Sequence, residues 1–267
     1  METATLREMR QGAPVRAGTY AYDGDDLVTN WHVHDLHQVE YAFEGVAEVE
    51  TAAGHYLLPP QQAVWIPAGL AHQTTLRRVR SVSVFFAPEL LPDPGGQARI
   101  LAAAPVVREM ILYATRWPID RPQTSAEADT FFEVLANLVL EWLDHEVPLC
   151  LPTSADPLVA EVIAVTTAQL ATITTTALCR AVGTSERTLR RRFSEETSMT
   201  WPRYLTQARL LRAMALLAES PRSITAVAAD VGFENVSSFS RAFARFAHET
   251  PTAYRARVTT RQVAVSG

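Results

Sequence analysis

Lysine is absent from the 267 residues, and only two cysteines are present. Cys150 and Cys179 form no CxxC pair, which excludes a cysteine-based zinc finger and is typical of proteins kept in a reducing compartment. The opening segment, METATLREMRQG, lacks the apolar run of a signal peptide, and no stretch reaches the ~18 uninterrupted apolar residues of a membrane span. We therefore expect a soluble, cytoplasmic protein that contacts no membrane.

The charges are distributed unevenly along the chain. Residues 1–150 hold 10 arginines against 20 acidic residues, whereas residues 151–267 hold 14 arginines against 9 acidic residues. Every basic side chain other than histidine is a guanidinium, the group best suited to bidentate contact with phosphate or guanine. An acidic front half and a basic back half indicate a nucleic-acid-binding module attached to a domain with another task.

Short strands are predicted over residues 28–87. Apolar and polar residues alternate in VEYAF (39–43), a turn is predicted at Glu44-Gly45, and the alternation resumes in VAEVET (46–51). A further turn is predicted at Pro67-Ala68-Gly69. Several strands at roughly ten-residue spacing predict an antiparallel barrel or sandwich.

Helical periodicity replaces this pattern after residue 96. Phe131, Leu135, Leu138 and Trp142 form an apolar stripe, which we expect to pack on the barrel; an added role in a dimer contact is the alternative. The proline-rich segment VPLCLPTSADP (147–157) separates the acidic half from the basic half. The predicted fold is a multidomain α+β arrangement, with a sensor barrel over 1–95, a helical linker with candidate dimerisation helices over 96–150, and an all-α domain over 151–267.

Two segments of the basic half share one design. A short helix ends at Gly183 and a capping Ser185 opens an arginine-rich helix; a second short helix ends at Gly232, and Asn235 opens another. This layout predicts two helix-turn-helix units, over about 175–197 and 223–247, whose second helices enter the major groove of DNA. Between them, residues 201–219 predict a helical rod roughly 28 Å long.

Residues 156–257 resemble the DNA-binding domain of the AraC/XylS transcription regulators. The matching segments are SERTLRRRF (185–193), RLLRAMALLAES (209–220), VAADVGFENVSSFSRAF (227–243) and TPTAYR (250–255). The family often has glycine where Ser198 and His248 stand, so we expect these helix ends to close in a slightly different geometry. The resemblance implies binding to promoter DNA. We also expect contact with RNA polymerase, and a homodimer is expected from the apolar stripe at 131–143.

The resemblance and the helical spacing together give a candidate DNA-binding set. Arg187, Arg191 and Arg241 are the residues that we expect to contact guanine. Those expected to contact phosphate are Arg190, Ser237, Ser240 and Arg245.

Histidines are concentrated in the front half. His32-x-His34, then Gln38, and then His72 after a Pro-x-Gly turn resemble the two motifs of the cupin barrel, with Gln38 where cupins that bind metal often have a glutamate. The resemblance implies a divalent metal such as zinc, nickel or iron on His32, His34, Gln38 and His72. Alternatively, the same residues line a pocket for an organic effector with Trp65 as a wall, or they are hydrogen-bonded residues with no ligand. His37 is expected on the other face of the strand, at the surface.

The sequence thus predicts a regulator that senses a small molecule or metal in its barrel and binds promoter DNA, without enzymatic activity. A cupin metalloenzyme, such as a dioxygenase fused to a DNA-binding domain, is one alternative. A constitutive DNA-binding protein with a scaffold barrel is the other.

Overall fold

The computed structural model describes residues 4–58, 62–92, 95–102, 105–143 and 150–263. The chain divides into two compact units: one holds Met1–Thr51 and His55–Cys150, and the other holds Ala52–Gly54 and Leu151–Gly267. The first unit is built mainly of strands and the second mainly of helices, which confirms the predicted fold class. None of the helices in the described ranges is both long enough and apolar enough to cross a membrane.

The first unit contains nine described strands followed by two helices. They are β1 (Thr5–Leu6), β2 (Ala17–Gly24), β3 (Leu27–Val28), β4 (His32–Val33), β5 (His37–Thr51), β6 (Gly54–Leu58), β7 (Gln62–Ile66), β8 (His72–Phe86), β9 (Arg99–Ala102), α1 (Pro105–Ala114) and α2 (Ala126–Leu143).

Strands β5 and β8 form the centre of the sheet. Each is 15 residues long, and they pair antiparallel with each other over almost their whole length. Strands β2, β3 and β4 also pair with β8, while β6 and β7 pair with β5, and β9 extends the sheet beyond β7. Closure of this sheet into a barrel stays a prediction.

The turn predicted at Glu44-Gly45 is wrong, because β5 runs on through these residues. The register with β8 shifts twice there, between Ala42 and Glu44 and between Glu44 and Val46. A shift of this kind absorbs extra residues within one strand without reversing the chain, and glycine is tolerated at such a bulge.

Alternate residues of the central strands face two different environments. Val39 and Tyr41 of β5 belong to an apolar cluster that also contains residues of α1 and α2, among them Ile111, Phe132 and Leu135. The predicted packing of the helical stripe on the sheet is therefore observed, with the buried face centred slightly to one side of Phe131 and Leu138, which are only partly buried. The even-numbered residues Gln38 and Glu40 point away from this cluster, as the two-residue period of a strand requires.

The second unit begins with a short strand and continues as helices. They are β10 (Cys150–Pro152), α3 (Pro157–Ala168), α4 (Thr175–Ala181), α5 (Glu186–Thr197), α6 (Trp201–Glu219), α7 (Ile224–Asp230), α8 (Val236–Ala247) and α9 (Pro251–Val263).

Both helix-turn-helix corners have the predicted local chemistry. Gly183 and Gly232 take positive φ angles of 63° and 89°. The side chain of Ser185 accepts a hydrogen bond from the backbone N–H of Thr188, and that of Asn235 accepts one from Ser238, so both caps are formed.

The expected change of geometry at Ser198 and His248 is wrong. These residues end α5 and α8 with φ angles of 54° and 57°, in the left-handed region that a glycine would adopt. Both helix ends therefore adopt the left-handed conformation, although a side chain there costs free energy, and the backbone takes no alternative conformation.

Candidate functional site

The structure brings the histidines 32, 34 and 72 together. His32 lies directly opposite His72 in the pairing of β4 with β8, and His34 follows β4. Their ring centroids are 4.2 Å apart for His32 and His72 and 5.0 Å apart for His34 and His72. All three side chains are buried, and one ring nitrogen of each lies within 4.8 Å of the others.

Backbone carbonyls fix the orientation of all three rings. The Nδ1 atoms of His32, His34 and His72 lie 2.8, 2.6 and 2.9 Å from the carbonyl oxygens of residues 30, 36 and 70. Because a carbonyl oxygen only accepts, each Nδ1 carries the proton and each Nε2 keeps its lone pair. The Nε2 atom of His72 is buried, with no hydrogen-bond partner in the described part of the chain.

Gln38 lies against this cluster in a constrained orientation. Its amide nitrogen donates to Glu40 Oε2 and to Ser83 Oγ, both at 3.0 Å, and its Oε1 lies 2.9 Å from His34 Nε2. The amide oxygen and the imidazole lone pair thus face each other as two acceptors, an arrangement that a shared cation stabilises.

Burial keeps the imidazoles neutral. Desolvation lowers the pKa of His32 and His34, and with repulsion from His32 it lowers the pKa of His72 to about 3. Burial raises the pKa of Glu40, a shift that hydrogen bonds from Ser83, Ser81 and Gln38 reduce. Neutral imidazoles with free Nε2 lone pairs have the protonation state that a transition metal requires.

The structure does not bring Trp65 to this cluster. Trp65 is fully buried in the apolar cluster beneath the helices, where its ring stacks on that of His37 with centroids 4.7 Å apart. His37 does lie on the other face of the strand, but its expected surface position is wrong: it is 3% exposed, and the backbone N–H of Ala68 donates to its Nδ1.

A cavity of about 50 Å³ adjoins the histidines. Sequence reasoning missed two charged residues that line it, Arg7 and Glu40. Glu40 lies two positions after Gln38 on β5, so the alternation of the strand places both side chains on the same face, and the sequence could have indicated this. Arg7 reaches the site through the parallel pairing of β1 with β4, for which no sequence signal exists.

The first helix-turn-helix unit presents its predicted arginines to solvent. Arg187, Arg190 and Arg191 are exposed on α5, and Leu189 and Phe193 on the same helix are buried. Arg191 pairs with Glu195 one turn later, at 2.9 Å. The exposed basic face and the buried apolar face match the predicted orientation of the helix.

The second helix-turn-helix unit has the same arrangement on α8. Ser237, Arg241 and Arg245 are exposed and Ser240 is half-buried, while Phe239 and Phe243 are fully buried. Helix α6, 19 residues long, lies between the two helix-turn-helix units in the chain.

Two family models match the chain in sequence order. Residues 17–112 match the AraC-like ligand binding domain, and residues 178–257 match the helix-turn-helix domain. The chain belongs to the AraC family of transcription regulators.

Two curated proteins and one solved structure are similar to the chain. The HTH-type transcriptional regulator NimR of Escherichia coli is 26% identical over 253 residues, which cover 92% of this chain and 87% of NimR. The transcriptional activator RhaR of Pectobacterium atrosepticum is 44% identical over 81 residues, 30% of this chain and 28% of RhaR. The DNA-binding domain of AdpA, solved in complex with a target DNA, is 32% identical over 40% of this chain and 96% of that domain, with a TM-score of 0.38.

This AraC-family protein is a DNA-binding regulator with an N-terminal ligand-binding domain, and it is not an enzyme. The metalloenzyme alternative is therefore wrong. In this family the helix-turn-helix domain binds promoter DNA.

Proposed function

We propose that this regulator senses a divalent transition metal, held by His32, His34 and His72 with Gln38 as a fourth ligand. Occupancy of the metal site would control promoter binding by α5 and α8. The observation that carries this proposal is the arrangement of the three imidazoles: the Nδ1 atom of each lies against a backbone carbonyl, and one ring nitrogen of each lies within 4.8 Å of the others. Metal-binding histidines in proteins are oriented in the same way.

The donor set fits zinc, nickel or iron. Three imidazole nitrogens and an amide oxygen suit these borderline metals better than calcium or magnesium, which prefer oxygen ligands. The buried, unpartnered Nε2 of His72 and the facing acceptors of His34 and Gln38 are both satisfied by a cation. When bound, the metal would supply a fixed positive charge in a buried site.

Regulation would follow from a population shift. A metal that binds one arrangement of β4 and β8 more tightly favours that arrangement, by no more than the difference between its two affinities. The regulator would act on bacterial DNA in the cytoplasm. Contact with RNA polymerase and homodimerisation through α2, where Val134 is 50% exposed, remain part of the proposal.

The metal site is tested by elemental analysis of full-length protein purified without chelator or metal-affinity resin. We expect about one metal per chain in the wild type and a loss of most of it in His72→Ala. His55→Ala is the matched control, because His55 lies in the same sheet and pairs with Glu48 away from the cluster. Metal-free wild type, or full occupancy in a folded His72→Ala protein, would contradict the proposal.

The regulatory role is tested on DNA. A duplex selected from a random pool by the wild-type protein serves as the operator, and fluorescence anisotropy compares metal-loaded with chelator-treated protein. We expect the affinity to change on metal removal in the wild type and in His55→Ala. If the affinity for DNA is the same with and without metal, the result would contradict the proposal and favour a constitutive DNA-binding protein with a scaffold barrel.

The arginines expected to contact guanine are tested with the same duplex. Arg187→Ala and Arg241→Ala should each lower specific affinity by about 1–3 kcal/mol, since each would lose a bidentate contact to guanine. Arg16→Ala removes an exposed arginine of the strand-rich first unit and should change the affinity for DNA little. Unchanged binding in both helix variants would refute the assignment of α5 and α8 to base recognition.

A further inference from the structure

The proposed metal site has no acidic ligand. Its proposed ligands are three imidazoles, which are neutral when they hold a metal, and the neutral amide oxygen of Gln38. The nearest carboxyl group in the cavity, Glu40, is turned into a buried network with Ser83 and the nitrogen of Gln38. A divalent ion on these ligands would therefore keep its full double charge beside the cavity, where it attracts an anion.

A second source of positive charge borders the same cavity. Arg7 follows β1, where its backbone N–H donates to Val33 O at 2.8 Å. Its exposed side chain lines this cavity together with His32 and His34, and its guanidinium has no hydrogen-bond or ion-pair partner in the ranges that the structure describes. Arg10, three residues later, is instead paired with Asp35.

The cavity is small and lined largely by neutral groups. Its volume of about 50 Å³ has room for three or four water-sized groups. Hydroxyl groups of Thr29, Thr74, Ser81 and Ser83, the phenol ring of Tyr20 and the apolar side chain of Leu27 form part of its wall. A planar anion of about four heavy atoms matches a space of this size.

We infer that this cavity binds a small carboxylate as co-effector, with the Arg7 guanidinium as its recognition group. This inference rests on the proposed metal-sensing function. Arginine offers a carboxylate two parallel N–H donors, so it selects for the planar geometry as well as for the charge. The ligand would join the segment that follows β1 to the histidine cluster, and in this way couple the two signals.

The test uses zinc-loaded full-length protein, titrated calorimetrically with acetate and, separately, with the neutral isostere acetamide. We expect acetate to bind and acetamide to give no detectable binding. Arg7→Gln should weaken acetate binding at least about 10-fold, because it removes a charge-assisted pair. Arg10→Gln, which removes a neighbouring guanidinium with another partner, should leave it unchanged.

Zinc binding is measured separately, so that this inference and the proposed function fail in different ways. Zinc bound normally with no acetate binding, or with acetate binding equal in wild type and Arg7→Gln, would overturn the carboxylate site and leave the metal site standing. Acetate binding that depends on Arg7 in a protein that takes up no zinc would support the carboxylate site and refute the metal site. Chloride binding as tightly as acetate, with the same dependence on Arg7, would overturn the assignment to carboxylates.

Discussion

Replacing the two corner glycines by alanine should have unequal effects, although both glycines occupy the same place in their helix-turn-helix units. Gly183 has φ +63°, and a Cβ added there meets nothing within 4 Å. Gly232 has φ +89°, and a Cβ there would lie 2.2 Å from the carbonyl oxygen of Ala171 and 2.8 Å from a guanidinium nitrogen of Arg209. The first site suffers only from its backbone conformation, and the second also from a collision with backbone.

The magnitudes follow from these surroundings. A left-handed alanine costs about 1–2 kcal/mol, of which about 0.4–1 kcal/mol is offset by the stiffer unfolded chain. We therefore expect Gly183→Ala to lower the free energy of unfolding by about 1 kcal/mol. Overpacking adds about 1–3 kcal/mol, so that Gly232→Ala should cost about 3 kcal/mol. Displacement of Ala171 would also strain its 3.2 Å hydrogen bond from Arg209.

Hydrogen exchange followed by mass spectrometry on the full-length protein measures both effects in place, because it reports the opening free energy of each segment. Amides of α7 and α8 should lose far more protection in Gly232→Ala than those of α4 and α5 lose in Gly183→Ala. Equal losses, or a larger loss at Gly183, would refute the argument from the Ala171 carbonyl.

Three further substitutions test the helical unit. Trp201→Phe removes the 3.0 Å hydrogen bond from the indole N–H to Thr166 Oγ1 and should cost about 1–2 kcal/mol in urea unfolding; a loss below about 0.5 kcal/mol would contradict it. Ser198→Gly, at φ 54°, should raise stability by about 0.5 kcal/mol in calorimetry, and destabilisation would show that the serine side chain compensates its strain. Asp156→Ala removes both the N-cap of α3 and the partner of Arg192, and should cost about 1–2 kcal/mol by thermal unfolding; an unchanged midpoint would contradict both roles.

Local chemistry explains why the helical unit could be predicted closely. The positive φ of Gly183 and Gly232 and the caps at Ser185 and Asn235 depend on neighbours in the chain, which the sequence displays directly. The same reasoning failed at Glu44-Gly45, because the local sequence around a glycine in a β-bulge resembles that around a glycine in a turn.

The histidine cluster could be predicted only in part. The spacing of His32 and His34 places both rings on one side, and the resemblance to cupins adds His72. Burial of His37 on the opposite face depends on Trp65 and the helices above it, which periodicity within one strand does not report. The position of Arg7 depends on the parallel pairing of two short strands distant in sequence.

The alternation along β5 has a consequence for which genetic changes the regulator can survive. Val39 and Tyr41 hold the helices on one side, while Gln38 and Glu40 line the ligand cavity on the other. Loss of a single codon between Gln38 and the register shift would exchange the two sets, placing charge in the core and apolar groups in the cavity at one stroke. Point substitutions on the cavity side can therefore change ligand preference gradually, whereas insertions and deletions in this half of the strand should be eliminated by selection for folding.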